Sequence, residues 1–356
     1  MMSLLSPGKI GIFFIVMFGI QALMGIVAQP FIMGVCAAGR TEMDGRIGFM
    51  FGNIIKRICT IAWSLTAMAA VAWYMSRGVD LSQIKPDYVY GDIAREFLPR
   101  VFPGLLGLFL ASLLASVMSS CDSFMISSSG LFTENIYKLL VPGRADRHYV
   151  WIGRLVALLV VLGGVYFAYT IPNVKEALKF WFKIAPMMGV AFWLGLLWRR
   201  ATPAGAWAAA LTGFGVWWLT TWSSVITWLN GLPFADALGF VYEEPGKSPE
   251  VYDPWVIVFY TTAAVLAGIV VSLITQPVAD KKLNQFYTLT RTPIVDGEVI
   301  QEPCTLPEGV VPAQRPMLTT AFGLEIPVPS RISVIGFLAG WAAVAAIVGG
   351  FLWLIG

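Results

Sequence analysis

The sequence predicts an all-α polytopic membrane protein of about eight transmembrane helices, and three observations predict it. Of the 356 residues, 57% are hydrophobic and 13% charged, with a mean hydropathy of +0.73. A soluble domain carries about 25% charged residues. Apolar runs long enough to cross a hydrocarbon core roughly 30 Å thick recur along the whole chain. The charges gather in the polar stretches between those runs, and Lys and Arg favour one alternating set of them.

The expected spans fall, in order, at roughly 10–28, 51–75, 102–132, 150–170, 178–198, 205–228, 254–276 and 332–355. The first holds Gly19 and Gly25 and runs into Pro30, residues that suit local unwinding. The third is the longest. It starts after Pro103 and Gly104 and is expected to continue as a helix to about Tyr137. The fifth contains Pro186, which should kink it. Tryptophans near span ends, such as Trp198, Trp217, Trp218 and Trp353, fit an aromatic belt. Residues 1–276 thus form one transmembrane domain. Residues 277–330 read as a polar linker containing Pro293, Pro303, Pro307, Pro312 and Pro316, and 331–356 as a last span.

Orientation follows from the basic loops. Arg40, Arg46, Lys56 and Arg57, then Lys138, Arg144 and Arg147, then Arg199 and Arg200, then Lys281, Lys282, Arg291 and Arg315 lie on one side, expected to be cytoplasmic. The other side has fewer cations, among them Lys9 and Lys247, and carries Asp80, Asp87, Asp92, Glu96, Asp236, Glu243, Glu244, Glu250 and Asp253.

Composition also excludes functions. His148 is the only histidine and sits in a polar loop, which argues against a histidine-built metal centre or a Ser-His-Asp hydrolase. Cys36, Cys59, Cys121 and Cys304 show no paired spacing. No basic stripe interleaved with aromatics suggests nucleic acid, and the N-terminus lacks a cleavable signal pattern.

One stretch stands apart. Projected at about 100° per residue, Ser112, Ser116, Ser119, Ser120, Ser123 and Ser127 fall within an arc of roughly 100°, with Asp122 about 60° beyond its edge. Hydrocarbon offers such a stripe no partners. Hydroxyls at i, i+3 and i+4, as at Ser116, Ser119 and Ser120, can ligate a hard cation. They can equally serve helix packing. An acid inside a span is by default a functional residue.

The stretch Leu-Leu-Ala-Ser-Val-Met-Ser-Ser-Cys-Asp-Ser over 113–123, followed by Thr-Glu-Asn-Ile-Tyr over 133–137, resembles the signature helix of the sodium/solute symporter family, whose pattern is close to A-A-x-M-S-S-x-D-S and then T-x-D-I-Y. Leu-Trp-Arg-Arg-Ala-Thr-Pro-Ala-Gly-Ala over 197–206 is similar to that family's W-[KR]-R-A-x-x-x-G-A. Gln29 to Arg40 is similar to the segment after its broken, substrate-lining helix. The resemblance implies a LeuT-like core of two inverted five-helix repeats. This chain would supply the second repeat and the C-terminal helices, with the first repeat absent and the chain truncated. It implies sodium as coupling ion, with Ser119 and Ser120 offering hydroxyls and Ser116 its carbonyl. Asp122 and Ser123 become candidates for ion coupling or a second ion site, and Gln21 and Lys56 candidates for lining the solute. A packing role for Gln21 and an anchoring role for Lys56 are the competing readings. No organic cofactor is expected. The implied function is sodium-coupled symport of a small polar solute across the inner or plasma membrane. A transporter-like sensor or scaffold that binds solute without moving it is the alternative. An enzyme is not expected, since Asp122 and Glu134 are the only acids on the key helix and no histidine joins them.

Overall fold

The computed structural model describes residues 11–171, 173–243, 248–294, 297 and 304–355. Lys9, Glu244, Lys247 and Pro303, named above, lie outside the described residues. The helices run α1 (Ile12–Ile26), α2 (Pro30–Ala37), α3 (Glu42–Ser76), α4 (Val89–Val101), α5 (Leu105–Phe132), α6 (Lys138–Leu140) and α7 (Asp146–Thr170). They continue as α8 (Val174–Leu197), α9 (Pro203–Leu219), α10 (Ser223–Asn230), α11 (Ala235–Leu238), α12 (Asp253–Ile274), α13 (Asp280–Arg291) and α14 (Arg331–Ile355). Two small antiparallel pairs join them, β1 (Val241–Tyr242) with β2 (Glu250–Val251) and β3 (Met317–Thr319) with β4 (Ile326–Pro327).

Six helices among the described residues are long and apolar enough to cross a membrane, and the pair α1 and α2, bent by 64°, makes a seventh if counted as one span. The sixth expected span, 205–228, resolves into α9, of 17 residues, and α10. Thr220 and Thr221 turn their hydroxyls back onto Trp217 O and Trp218 O at 2.6 Å each, and the first helix stops there.

The chain divides into two compact units. The first comprises Met1–Met33, Arg40–Glu42 and Leu178–Pro329. Its tightest seam joins α9 and α12. Gly205, Ala209 and Gly213 recur every fourth residue on α9, as do Ala264, Gly268 and Ser272 on α12, and all six are buried. Small residues at this period let two membrane helices approach backbone to backbone. A Cβ on Gly268 would stand 2.6 Å from Leu194 Cδ1 and 3.2 Å from Ala209 Cβ. The seam is closed at one end by polar bonds. Thr202 N donates to Ser272 Oγ (3.2 Å), Gly205 N donates to Thr202 Oγ1 (3.1 Å), and Arg200 Nη2 donates to Leu273 O (3.1 Å) and Thr275 O (2.8 Å). Arg200 thereby takes up carbonyls that the end of α12 leaves unpaired.

The polar segment 277–330 carries α13, β3 and β4, and it completes the end of α8. Tyr287 Oη donates to Gly195 O (3.1 Å) and Glu325 N to Leu197 O (2.7 Å), while Arg199 N donates to Gly323 O (2.9 Å) and Trp198 Nε1 to Phe322 O (3.0 Å). Phe322 and Gly323 have φ of 55° and 76°, so the turn uses the left-handed region at both positions. The Tyr287 ring lies 5.2 Å from the Arg199 guanidinium and 4.9 Å from that of Arg291. Burial raises the Tyr287 phenol above its ordinary range, and the two arginines offset part of that rise. The neutral phenol is therefore the form that folding favours. Its contribution to stability is expected to be complete below the ordinary tyrosine value of about 10 and to be lost as pH rises through the folded value. Unfolding midpoints measured between about pH 8 and 11 check this, with a Tyr287→Phe protein as the non-titrating control.

The second unit comprises Gly34–Gly39, Met43–Ala177 and Ser330–Gly356. α5 packs on α7 and α4. It begins after Gly104, whose φ of 95° turns the chain into the helix, so the expected start after Pro103 and Gly104 agrees with the structure. Beyond Phe132 the helix widens into a π turn over Thr133–Tyr137 and continues as α6. Tyr137 Oη and His148 Nε2 are 2.9 Å apart, and Tyr149 Oη donates to Val141 O (2.8 Å) while accepting from Arg144 N (3.1 Å). The lone histidine, expected in a polar loop, thus lies in the first turn of α7, held there against the π turn. Arg46 Nη1 donates to Ser333 Oγ (3.1 Å), tying α3 to α14.

Candidate functional site

The serine face lies on α5 in the second unit. Ser112, Ser116, Ser119, Ser120 and Ser123 are all exposed, as is Asp122. The hydroxyls follow a local pattern. Ser112 Oγ donates to Leu108 O (2.9 Å), Ser120 Oγ to Ser116 O (3.1 Å) and Ser123 Oγ to Ser119 O (3.1 Å). A serine that spends its only proton on the carbonyl four residues back presents its oxygen lone pairs outward. Ser116 O takes both the backbone N–H and the hydroxyl of Ser120, so it becomes free for an ion only when the Ser120 hydroxyl turns away. One helical turn, about 5.4 Å high, therefore offers neutral oxygens from Ser116, Ser119 and Ser120 on one face.

Lys56 lies exposed midway along α3, in the same unit, where its carbonyl accepts from Thr60 Oγ1 at 2.9 Å. Gln21 belongs to the first unit. It is 3% exposed, and its Nε2 donates to Phe182 O on α8 at 2.6 Å. Its side chain adjoins the Tyr260 hydroxyl on α12. The structure therefore groups the serines and Asp122 on one helix and holds Gln21 on the seam of α1 with α8. No cluster of three or more His, Cys, Asp or Glu that could hold a metal occurs among the described residues.

Three features escaped the sequence reading. Thr133, at the first π-turn position, is 5% exposed with its hydroxyl unpartnered, beside Gly153 of α7. Lys183 of α8 pairs with Asp253 at the start of α12, 3.1 Å apart, where the acid also meets the positive end of the helix. Glu325 stands between Arg199, at 2.7 Å, and Arg291. A signal was available only for the second: an ionisable residue inside an apolar run requires a partner.

Residues 5–213 match the sequence profile of the Sodium:solute symporter family. Over 136 residues the chain is 36% identical to the sodium/mannose cotransporter SLC5A10 of Bos taurus, a stretch that is 36% of this chain and 22% of the relative. It is 27% identical over 244 residues to the sodium/myo-inositol cotransporter 2 of Oryctolagus cuniculus, covering 62% of this chain and 32% of that one. It is 26% identical over 271 residues to the high-affinity proline transporter PutP of Bacillus subtilis (strain 168), covering 74% and 50%. The chain thus spans half or less of the length of these relatives.

Proposed function

Because the chain belongs to the sodium:solute symporter family, a family of multi-pass plasma-membrane transporters, we propose that it takes part in sodium-coupled symport of a small polar solute by alternating access. The relatives are transporters, named for mannose, myo-inositol and proline, and no catalytic residue is assigned. The observation that carries the reading is the α5 face. Ser119 and Ser120 supply hydroxyl oxygens and Ser116 its carbonyl to one sodium ion, and the remaining ligands come from outside α5. Neutral oxygens suit this ion in a low-dielectric setting, since they replace its hydration shell without burying a counter-charge. Asp122 and Ser123, next along the helix, are assigned to ion coupling or a second ion.

Coupling then has a definite form. An ion that binds one conformation better raises solute affinity in that conformation, and the solute raises ion affinity by the same factor. Changing Ser119 and Ser120 together to alanine removes two ligands. It is expected to raise the sodium concentration for half-maximal uptake by about tenfold or more, each lost oxygen being worth about 1 kcal/mol or more. Uptake of labelled proline, myo-inositol and mannose by cells expressing the protein, over a series of sodium concentrations, measures this. An unchanged sodium dependence would remove the site from α5.

A further inference from the structure

Pro186 interrupts the backbone ladder of α8, because proline has no N–H to give the carbonyl four residues earlier. That carbonyl is Phe182 O, and a different helix fills it. Gln21 Nε2, on α1, donates to Phe182 O at 2.6 Å. Gln21 is 3% exposed, so its amide cannot turn to bulk water instead. Two further contacts lie on the same seam. A Cβ at Gly25, one turn along α1, would stand 3.2 Å from the Pro186 ring, and a Cβ at Gly189 would collide with Met24 O. Gln21, Met24 and Gly25 therefore meet Phe182, Gly189 and Pro186 at backbone distance. They do so just before α1 ends at Ile26 and the chain bends by 64° into α2. The other side of the amide is less complete. The Tyr260 hydroxyl adjoins both Gln21 and Thr261, yet Gln21 Oε1, Tyr260 Oη and Thr261 Oγ1 lack a fully formed hydrogen bond.

We infer that Gln21 is the clasp of a two-helix hinge. Its amide supplies the donor that Pro186 withholds, so the break after α1 and the proline step of α8 are held as one element. In this role Gln21 positions helices and does not bind the solute. A side-chain donor suits a hinge better than a backbone one. It satisfies the carbonyl, yet the helix can bend at Pro186 without breaking a ladder bond, and the adjoining Tyr260 hydroxyl offers Gln21 a second partner. The inference rests on contacts within the first unit alone and is independent of the sodium assignment on α5.

The test is a double-mutant cycle on the purified full chain in detergent. It combines Gln21→Met, which keeps the side-chain volume and removes the donor, with Pro186→Ala, which restores an N–H to position 186. Thermal midpoints and amide exchange of the peptides covering 20–30 and 180–190 are read for all four proteins. Alone, Gln21→Met is expected to lower the midpoint by about 3 °C or more and to speed exchange in both peptides about tenfold, because Phe182 O loses its partner. In the Pro186→Ala background, where residue 186 itself donates, the same change should have less than half that effect. Pro186→Gly restores the same donor and replaces Pro186→Ala should that protein fail to fold. An equal effect of Gln21→Met in both backgrounds would overturn the inference, as would no effect in the parent chain. A peptide 20–30 that responds while 180–190 does not would also overturn it, since the two helices would then not share the clasp.

Discussion

A Gly205→Leu protein is expected not to fold stably, losing about 3 kcal/mol or more, because the substitution attacks the closest helix contact in the first unit. A Cβ built on Gly205 collides with the Ser272 hydroxyl and lies 2.8 Å from Gly268 O. Neither obstacle is the free end of a flexible side chain. Gly268 O is backbone, and Ser272 is 1% exposed and already accepts from Thr202 N. Relief therefore requires α9 and α12 to separate. Separation opens the contacts of Ala209 and Ala264, both 0% exposed, and breaks the polar closure at Thr202. Lipid can refill the gap with methylene contacts, but it cannot replace the hydrogen bonds. Gly205→Ala should show the same defect in smaller measure. Gly215→Ala, nearly three turns further on the same helix, meets nothing within 4 Å and should change stability by less than about 1 kcal/mol. Thermal unfolding midpoints of the three variants in one detergent decide the matter. A Gly205→Leu protein as stable as the parent would mean that α9 and α12 are not in contact.

The period of small residues behind that prediction was present in the sequence, every fourth position from Gly205 to Gly213 and from Ala264 to Ser272. It is hard to see there because hydropathy weighs glycine and alanine as near-neutral filler. Long apolar runs are conspicuous by the same measure, and the six long spans and the bend before Pro30 appear in the structure near where the sequence put them, although α3 begins at Glu42, nine residues before the expected start. The serine face was legible for a related reason: polar atoms in an apolar run stand out, and their helical phase follows from the period alone. Contacts between distant segments have no such signature. Nothing near Gln21 in the chain announces Phe182, 161 residues away. The carbonyl it serves is marked only by Pro186, whose missing donor says that a partner is required and not which one. The polar stretch 277–330 misleads in the opposite way. Its prolines and charges look like linker composition, but two of the charges, Arg291 and Glu325, serve the end of α8.

Removing that carboxylate is expected to have the second largest effect. The Glu325 side chain is 12% exposed, those of Arg291 and Arg199 20% and 28%, and the acid bridges both guanidiniums. Glu325→Ala leaves two half-buried cations flanking the Tyr287 ring with no counter-charge between them. Deleting one partner of a buried ion pair costs about 3–5 kcal/mol, and the partial exposure of the arginines brings the expected cost nearer 2–3 kcal/mol. The loss should be local before it is global. The bonds from Glu325 N to Leu197 O and from Arg199 N to Gly323 O are held in register by the same side chain. The segment around 321–327 should therefore detach from the end of α8 while the α9–α12 seam stays closed. Tryptic cleavage after Arg315 reads the detachment and should accelerate at least tenfold, while the exchange of α12 amides stays near that of the parent. Glu325→Gln, which keeps a hydrogen-bond acceptor and loses the charge, should fall between the two. Replacing Arg291 by methionine in the Glu325→Ala protein should recover part of the loss, because the double change removes a repelling cation along with its anion. If cleavage were unchanged in Glu325→Ala, the backbone bonds alone would be holding the segment, and the charge cluster would be a consequence of that docking instead of its cause.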